Sequence, residues 1–157
     1  MSTPDFILAL REKIGTDPLW LPGVTAVTTR GDEVLLVRRA DDGSWTPVTG
    51  IIDPGEEPAD AAVRETLEEA GVVAEPVRVA RVGVTDVVVY ANGDRTQYTD
   101  VTFDLRWVSG EPHPADGENT EARWFGLEDL PEMTADMHRR VAAALDDGPA
   151  SFGWSGA

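Results

Sequence analysis

Apolar and polar positions fall into two periods along this chain, and the switches between them outline its elements. Residues 4–14, PDFILALREKI, space Phe6, Ile7, Leu10 and Ile14 along one helical stripe, and Gly15 follows as a stop. A connector over residues 17–23 carries Leu19, Trp20 and Leu21 between Asp17-Pro18 and Pro22-Gly23. Residues 24–29 and 33–38 then read as two strands joined by Arg30-Gly31-Asp32, a hairpin signal. A loop at 41–44 leads to a short strand at 45–49. Pro58 opens and Gly71 closes a helix, because proline suits the first turn and glycine the left-handed residue past the end. Along it Ala59, Ala62, Val63, Thr66, Leu67 and Ala70 share one face, an apolar stripe for packing on a sheet.

Beyond that helix, residues 77–90 and 99–108 are β-rich and joined around Asn92-Gly93, a strong turn pair. An acidic, proline-containing loop covers 109–120, a last strand 122–125, a short helical turn 127–131, and a closing helix 135–145. The expected organisation is an N-terminal helix and connector over 1–22, one domain over 23–147, and a mobile tail over 148–157 in which Phe152 and Trp154 are the residues able to dock. Whether the first helix packs on its own domain or on a second subunit, giving a homodimer, is open at this level.

Composition narrows the function. A chain of 157 residues is one ordinary domain with room for a core. No run of 18 apolar residues is present, so no membrane span is expected. Charged residues interrupt the first apolar segment, which does not read as a signal peptide, and the cytoplasm is the expected compartment. With no cysteine, disulfides and thiolate metal sites are excluded. A net charge of −16 argues against polymeric nucleic acid, whose affinity comes mostly from Lys and Arg on phosphates. It is compatible with a small phosphorylated substrate whose charge a metal ion cancels locally.

The chemistry concentrates in residues 50–72. On the helix face opposite the apolar stripe, Glu65, Glu68 and Glu69 fall within an arc of about 100°. At roughly 6 Å and an effective dielectric near 20, each pair of these carboxylates repels by about 3 kcal/mol, against less than about 1 in open water. Two readings follow: a solvated acidic face, or a site for a hard divalent cation. Mg2+ takes one or two carboxylates and completes its shell with water and substrate phosphates. On the three glutamates alone the two stand even; the full spacing, with Gly50, Glu56 and Arg64, favours the second. Gly50 permits a sharp turn and a close approach to the backbone, and Asp53-Pro54-Gly55 turns the chain from strand to helix.

Gly50, Glu56, Arg64, Glu65, Glu68, Glu69 and Gly71 together resemble the Nudix box, G-x5-E-x7-R-E-U-x-E-E-x-G-U, at all seven of its fixed positions. Thr66 departs from it where a bulky aliphatic residue is usual, and Thr49 stands where many relatives have a second glycine. The resemblance implies an α/β fold, the Nudix α/β/α sandwich with a mixed β-sheet and the box as loop-helix-loop. It implies Mg2+-dependent hydrolysis, with Mn2+ as substitute, of a diphosphate linkage in a nucleoside diphosphate derivative by water attack on phosphorus. The alternative is a nucleotide or ADP-ribose sensor that keeps the fold without cutting.

Carried onto this chain, the resemblance makes Glu65, Glu68 and Glu69 the metal ligands, with the Thr49 carbonyl as an additional one. Glu65 or Glu68 would be the base, and Glu118 or Glu121 an extra base or ligand from a later loop. Arg64 would brace the loop through Glu56. Arg38 and Arg39 are candidates for a substrate phosphate, and Trp45, Tyr90 and Phe103 for stacking on a base or for the core. His113, His138 and the Arg139-Arg140 pair read as bystanders on the surface. For substrate choice, Val88 stands where the family's ADP-ribose enzymes often carry proline, and the extended motif of its NADH enzymes is absent. Tyr90 lies near the tyrosine of dinucleoside polyphosphate enzymes.

Overall fold

A computed structural model describes residues 3–155. The elements run α1 (Asp5–Ile14), β1 (Leu19–Arg30), β2 (Glu33–Arg39), β3 (Trp45–Thr46), β4 (Val48–Ile51), α2 (Pro58–Ala70), β5 (Val73–Val84), β6 (Val88–Val89), β7 (Arg95–Ser109), β8 (Asn119–Gly126), α3 (Ala135–Leu145) and β9 (Ser151–Phe152). The sheet has the path β3-β2-β1-β7-β5-β9, with β4 on β1, β6 on β7 and β8 on β2. It is mixed, as expected: β1 runs parallel to β7 and antiparallel to β2 and β4.

Strand alternation feeds two cores. From β2, Leu35 and Val37 enter the cluster that holds Ala61, Ala62 and Ala70 of α2. Val34 and Leu36 enter the cluster that holds Val141 and Ala144 of α3. A helix therefore covers each face, which is the α/β/α sandwich. It also explains why residues 23–28 of β1 are all buried rather than alternating.

Two expectations are corrected, and Thr66, the departure from the box, is accounted for. The connector over 17–23 becomes strand from Leu19 onward, paired in parallel with β7 from Leu19↔Thr96. Pro22 tolerates this because its backbone polar side faces β4 beyond the last register pair, Gly23↔Ile51, where its carbonyl accepts from Ile52 N at 3.3 Å. In the tail, Ser151–Phe152 pairs in parallel with β5 at Arg81 and Val82. Phe152 and Trp154 do not dock; both stay exposed. Thr66 costs the core nothing visible, since its buried hydroxyl donates to the Ala62 carbonyl at 2.8 Å. Among the described residues no helix is long and apolar enough to cross a membrane.

Candidate active site

The loop between β4 and α2 delivers the box residues to one end of the sheet. Glu56 and Arg64 lock it: Arg64 Nε and Nη2 donate to the two Glu56 oxygens at 2.7 and 2.8 Å. Glu56 also accepts from Asp53 N at 3.1 Å, closing the turn, and Arg64 reaches back to the Ile51 carbonyl at 3.3 Å. This bidentate pair holds the Glu56 carboxyl below its ordinary range, mainly through the hydrogen bond from Arg64. At the far end Gly71 adopts φ 67° and its N–H closes on the Leu67 carbonyl, as the glycine predicted.

Between these anchors the three glutamates take different environments. Glu65 is 1% exposed and accepts from Arg64 Nη1 at 2.9 Å. Its side chain lies on Gly50, where an added Cβ would sit 2.2 Å from the carboxyl carbon. Gly50 is thus required by the glutamate itself. Glu69 is 6% exposed and accepts from the Asn119 side-chain amide at 2.9 Å. Glu68 is half-exposed and meets Arg64 Nη1 at 3.3 Å.

Burial dominates the electrostatics. It pushes Glu65 up to about 7, against the opposing charge and hydrogen bond of Arg64, while Glu68 and Glu118 push the same way as burial. It pushes Glu69 up to about 8, against the Asn119 hydrogen bond, with Glu65, Glu118 and Asp116 adding repulsion. Two buried carboxylates thus sit one turn apart, Glu69 in the field of Glu65, with burial outweighing the favourable contacts of each.

Beside them opens a cavity of about 370 Å³ whose lining includes Arg39, Asp41, Thr49, Glu69, Glu118 and Asn119. Arg39, Thr49, Glu69 and Glu118 are candidates in the sequence, whereas Asp41 and Asn119 read there only as loop residues. Asn119 has no motif and earns its place by touching Glu69. Among the described residues no three acidic or histidine side chains converge into a ready-made metal cage. The three box glutamates are therefore not pre-assembled as ligands. The donor set still suits Mg2+, which needs only one or two protein carboxylates and takes oxygen throughout.

Other candidates are redirected. Arg38 and Glu121 face each other in register across β2 and β8 and pair at 2.9 Å, and neither is part of the cavity lining. Arg39 reaches the cavity but is bound to both oxygens of Asp41. Tyr90 is not part of the lining; its hydroxyl meets that of Tyr98 at 2.7 Å. The Tyr98 ring packs over Gly23 beside the Gly50 carbonyl, a neighbour of the box that sequence reasoning missed. Trp45 packs edge-on to Phe125 with centroids 4.8 Å apart, and Phe103 is core, so neither is placed to stack on a base. His113 is not a bystander: its ring seats on Gly71. Arg140 is not a solvated helix residue; it is 5% exposed and pairs with Asp100 at 3.0 Å.

This arrangement has counterparts among known proteins. The chain is 33% identical over 132 residues to the NAD-capped RNA hydrolase NudC of Pseudomonas aeruginosa, covering 83% of this chain and 44% of that protein. It therefore spans less than half the length of that relative. Among solved structures, a NUDIX hydrolase from Nitrosomonas europaea superposes with a TM-score of 0.65 at 22% identity, over 85% of this chain and 76% of the other. An ADP-ribose pyrophosphatase from Streptococcus suis gives a TM-score of 0.63 at 24% identity, over 84% and 96%. These two establish the fold. The NUDIX domain family profile matches residues 19–145, from the first strand to the end of α3. With the box complete and the sandwich built around it, the chain belongs to the NUDIX domain family, the hydrolase family that its sequence pattern resembles.

Proposed function

We propose that this chain hydrolyses a diphosphate linkage in a nucleoside diphosphate derivative, using Mg2+, or Mn2+ in its place, held by Glu65, Glu68 and Glu69 with the Thr49 carbonyl. The observation that carries this is the pair of buried carboxylates, Glu65 and Glu69, one helical turn apart, with Glu69 on the wall of an open cavity. Such a pair is costly alone and is relieved by a divalent cation. When bound, the cation supplies charge neutralisation at the phosphate and acidifies water for attack.

The chain's own residues supply orientation. Arg64 and Gly50 fix Glu65, while Glu68, less buried and touching only the edge of Arg64, has the freedom to move toward substrate. Proton acceptance from the attacking water is assigned to Glu65 or Glu68, with Glu118 on the cavity wall as the later-loop candidate. Arg39 is the cation of the cavity wall, and a substrate phosphate would compete with Asp41 for it.

For substrate, a nucleoside triphosphate, an ADP-ribose-like compound and a dinucleoside polyphosphate all present the required linkage. The name of the Pseudomonas relative, a hydrolase of NAD-capped RNA, supports a nucleotide diphosphate at the cut bond. The net charge of −16 supports recognition at the nucleotide rather than along an RNA strand. A cytoplasmic protein acting alone or as a homodimer is the corresponding expectation.

The test is product release from a panel of these substrates by wild type and Glu68→Gln, with Mg2+ and with chelator. Turnover should fall by about 10²- to 10⁴-fold in the variant at an unchanged melting temperature. Chelation should stop it and Mg2+ or Mn2+ restore it. Metal-independent turnover, or a variant as fast as wild type, defeats the proposal. Tight binding of one nucleotide without turnover makes the chain a sensor.

A further inference from the structure

One loop and the strand residue that follows it grip Glu69 at its main chain and its side chain. The last carbonyls of a helix have no partner within it. Here residues 110–118 provide them: His113 N donates to the Ala70 carbonyl at 3.0 Å and Ala115 N to that of Glu69 at 3.1 Å. The loop can lie this close because both sides of the contact are glycine. A Cβ on Gly110 would come within 2.6 Å of the Gly71 carbonyl oxygen, and a Cβ on Gly71 within 2.1 Å of the His113 ring. Trp107 Nε1 fastens the start of the loop at the Gly110 carbonyl, 2.9 Å away. Ala40 N fastens its end at the Glu118 carbonyl, also at 2.9 Å. The next residue is Asn119, 6% exposed, whose Nδ2 donates to Glu69 Oε2 at 2.9 Å.

The chemistry of that contact is specific. An ionised carboxylate only accepts hydrogen bonds, so a neighbour must donate. A lysine or arginine there would donate and also cancel the charge that holds a cation. A neutral amide orients the carboxylate and leaves its charge intact. Glu65 differs in this respect, since its donor is the guanidinium of Arg64.

We propose that Asn119 is a positioning residue that occupies Oε2 of Glu69 and turns Oε1 toward the bound cation, with the 110–118 loop setting its place. The inference rests on Glu69 being a metal ligand. Its contact with Glu69 spans 50 residues and corresponds to no motif in the sequence.

The experiment compares wild type, Asn119→Leu, Asn119→Gln and Glu69→Gln by Mn2+ titration followed by electron paramagnetic resonance, alongside kcat, KM and melting curves. Leucine keeps the volume and removes the donor. Loss of such an outer partner should weaken Mn2+ binding by about 10- to 100-fold and lower kcat comparably, while KM for the nucleotide stays near wild type. Asn119→Gln, which retains the amide, should recover part of both. Wild-type Mn2+ affinity in a folded Asn119→Leu overturns the assignment. Should that variant not fold, Asn119→Ser, with a shorter donor, takes its place, and the same weakening or its absence decides. Unchanged Mn2+ binding in Glu69→Gln would instead overturn the metal-site reading itself, whatever Asn119 does.

Discussion

Arg64 on α2 and Arg140 on α3 each gather carboxylates against the central sheet, one on either face. Arg140 forms a closed system. It donates to Asp100 at 3.0 Å, to Thr25 at 2.7 Å, and through Nε and Nη2 to Asp136 at 2.9 and 2.6 Å. Thr25 and Thr102 donate in turn to the two Asp100 oxygens, and Arg139 takes the second oxygen of Asp136. Two arginines meet two aspartates, with hydroxyls filling the remaining positions. Arg64 forms an open system: one guanidinium faces Glu56, Glu65 and Glu68, with Glu69 on the next turn. A balanced network completes the fold, whereas at the box the carboxylates outnumber the guanidinium, an imbalance that the proposed cation would relieve. The two helices thus use similar residues to opposite effect.

The comparison breaks first at Arg140. Replacing it with methionine leaves Asp100, 5% exposed, without its cation. Removing one partner of a buried pair costs about 3–5 kcal/mol. Urea denaturation of Arg140→Met should show a loss of that size, while kcat of the remaining folded protein stays near wild type. A loss below about 1 kcal/mol would mean that the network is not a structural keystone.

Arg64→Lys should behave in the opposite way. Lysine keeps the charge but cannot bridge both Glu56 oxygens while also reaching Glu65. Hydrogen bonds to charged groups contribute about 1.5–3 kcal/mol each, and lysine retains part of that, so the stability loss should be smaller than for Arg140→Met. Turnover should fall more steeply than stability, because Glu65 and Glu68 lose their common donor. Parallel measurement of kcat and urea midpoint for both variants separates the two roles. Equal effects on both quantities in both variants would erase the distinction.

The same contrast explains what the sequence disclosed. The contacts of Arg64 lie eight, one and four residues away, within a loop and one helix, so the helical period and the box spacing carry them. The α2 boundaries followed from Pro58 and Gly71 for the same local reason. Arg140 meets Asp100 across 40 residues and Asn119 meets Glu69 across 50, and no local period encodes either distance. Arg140 read as solvated because Arg139 beside it is, and only the packing of α3 on β1 and β7 tells them apart. The first half of β1 was hidden likewise. Pro22 and Gly23 signal a break, and the pairing with β7 that overrides it comes from more than 70 residues further along.

The smallest effect, and the sharpest in sign, is in acid. Hydrogen bonding from Arg64 holds Glu56 below its ordinary range, so its carboxylate contributes stability above that range and loses it as pH falls through the depressed folded value. Burial raises Asp100, against the charge of Arg140 and the hydroxyls of Thr25 and Thr102. For Asp100 the folded chain holds the proton more readily than the unfolded one. Its favourable contribution is therefore present in acid, below the unfolded value, and lost as pH rises through the folded one. Denaturation of wild type, Glu56→Gln and Asp100→Asn from about pH 3 to about pH 6 reads the two slopes separately. On acidification the advantage of wild type over Glu56→Gln should shrink, and the standing of wild type against Asp100→Asn should improve. Parallel slopes would place both carboxylates in the same electrostatic situation. Opposite slopes would show that the guanidinium outweighs burial in the half-buried loop of the box and loses to it under α3, which is the difference between a site open to ligand and a sealed core.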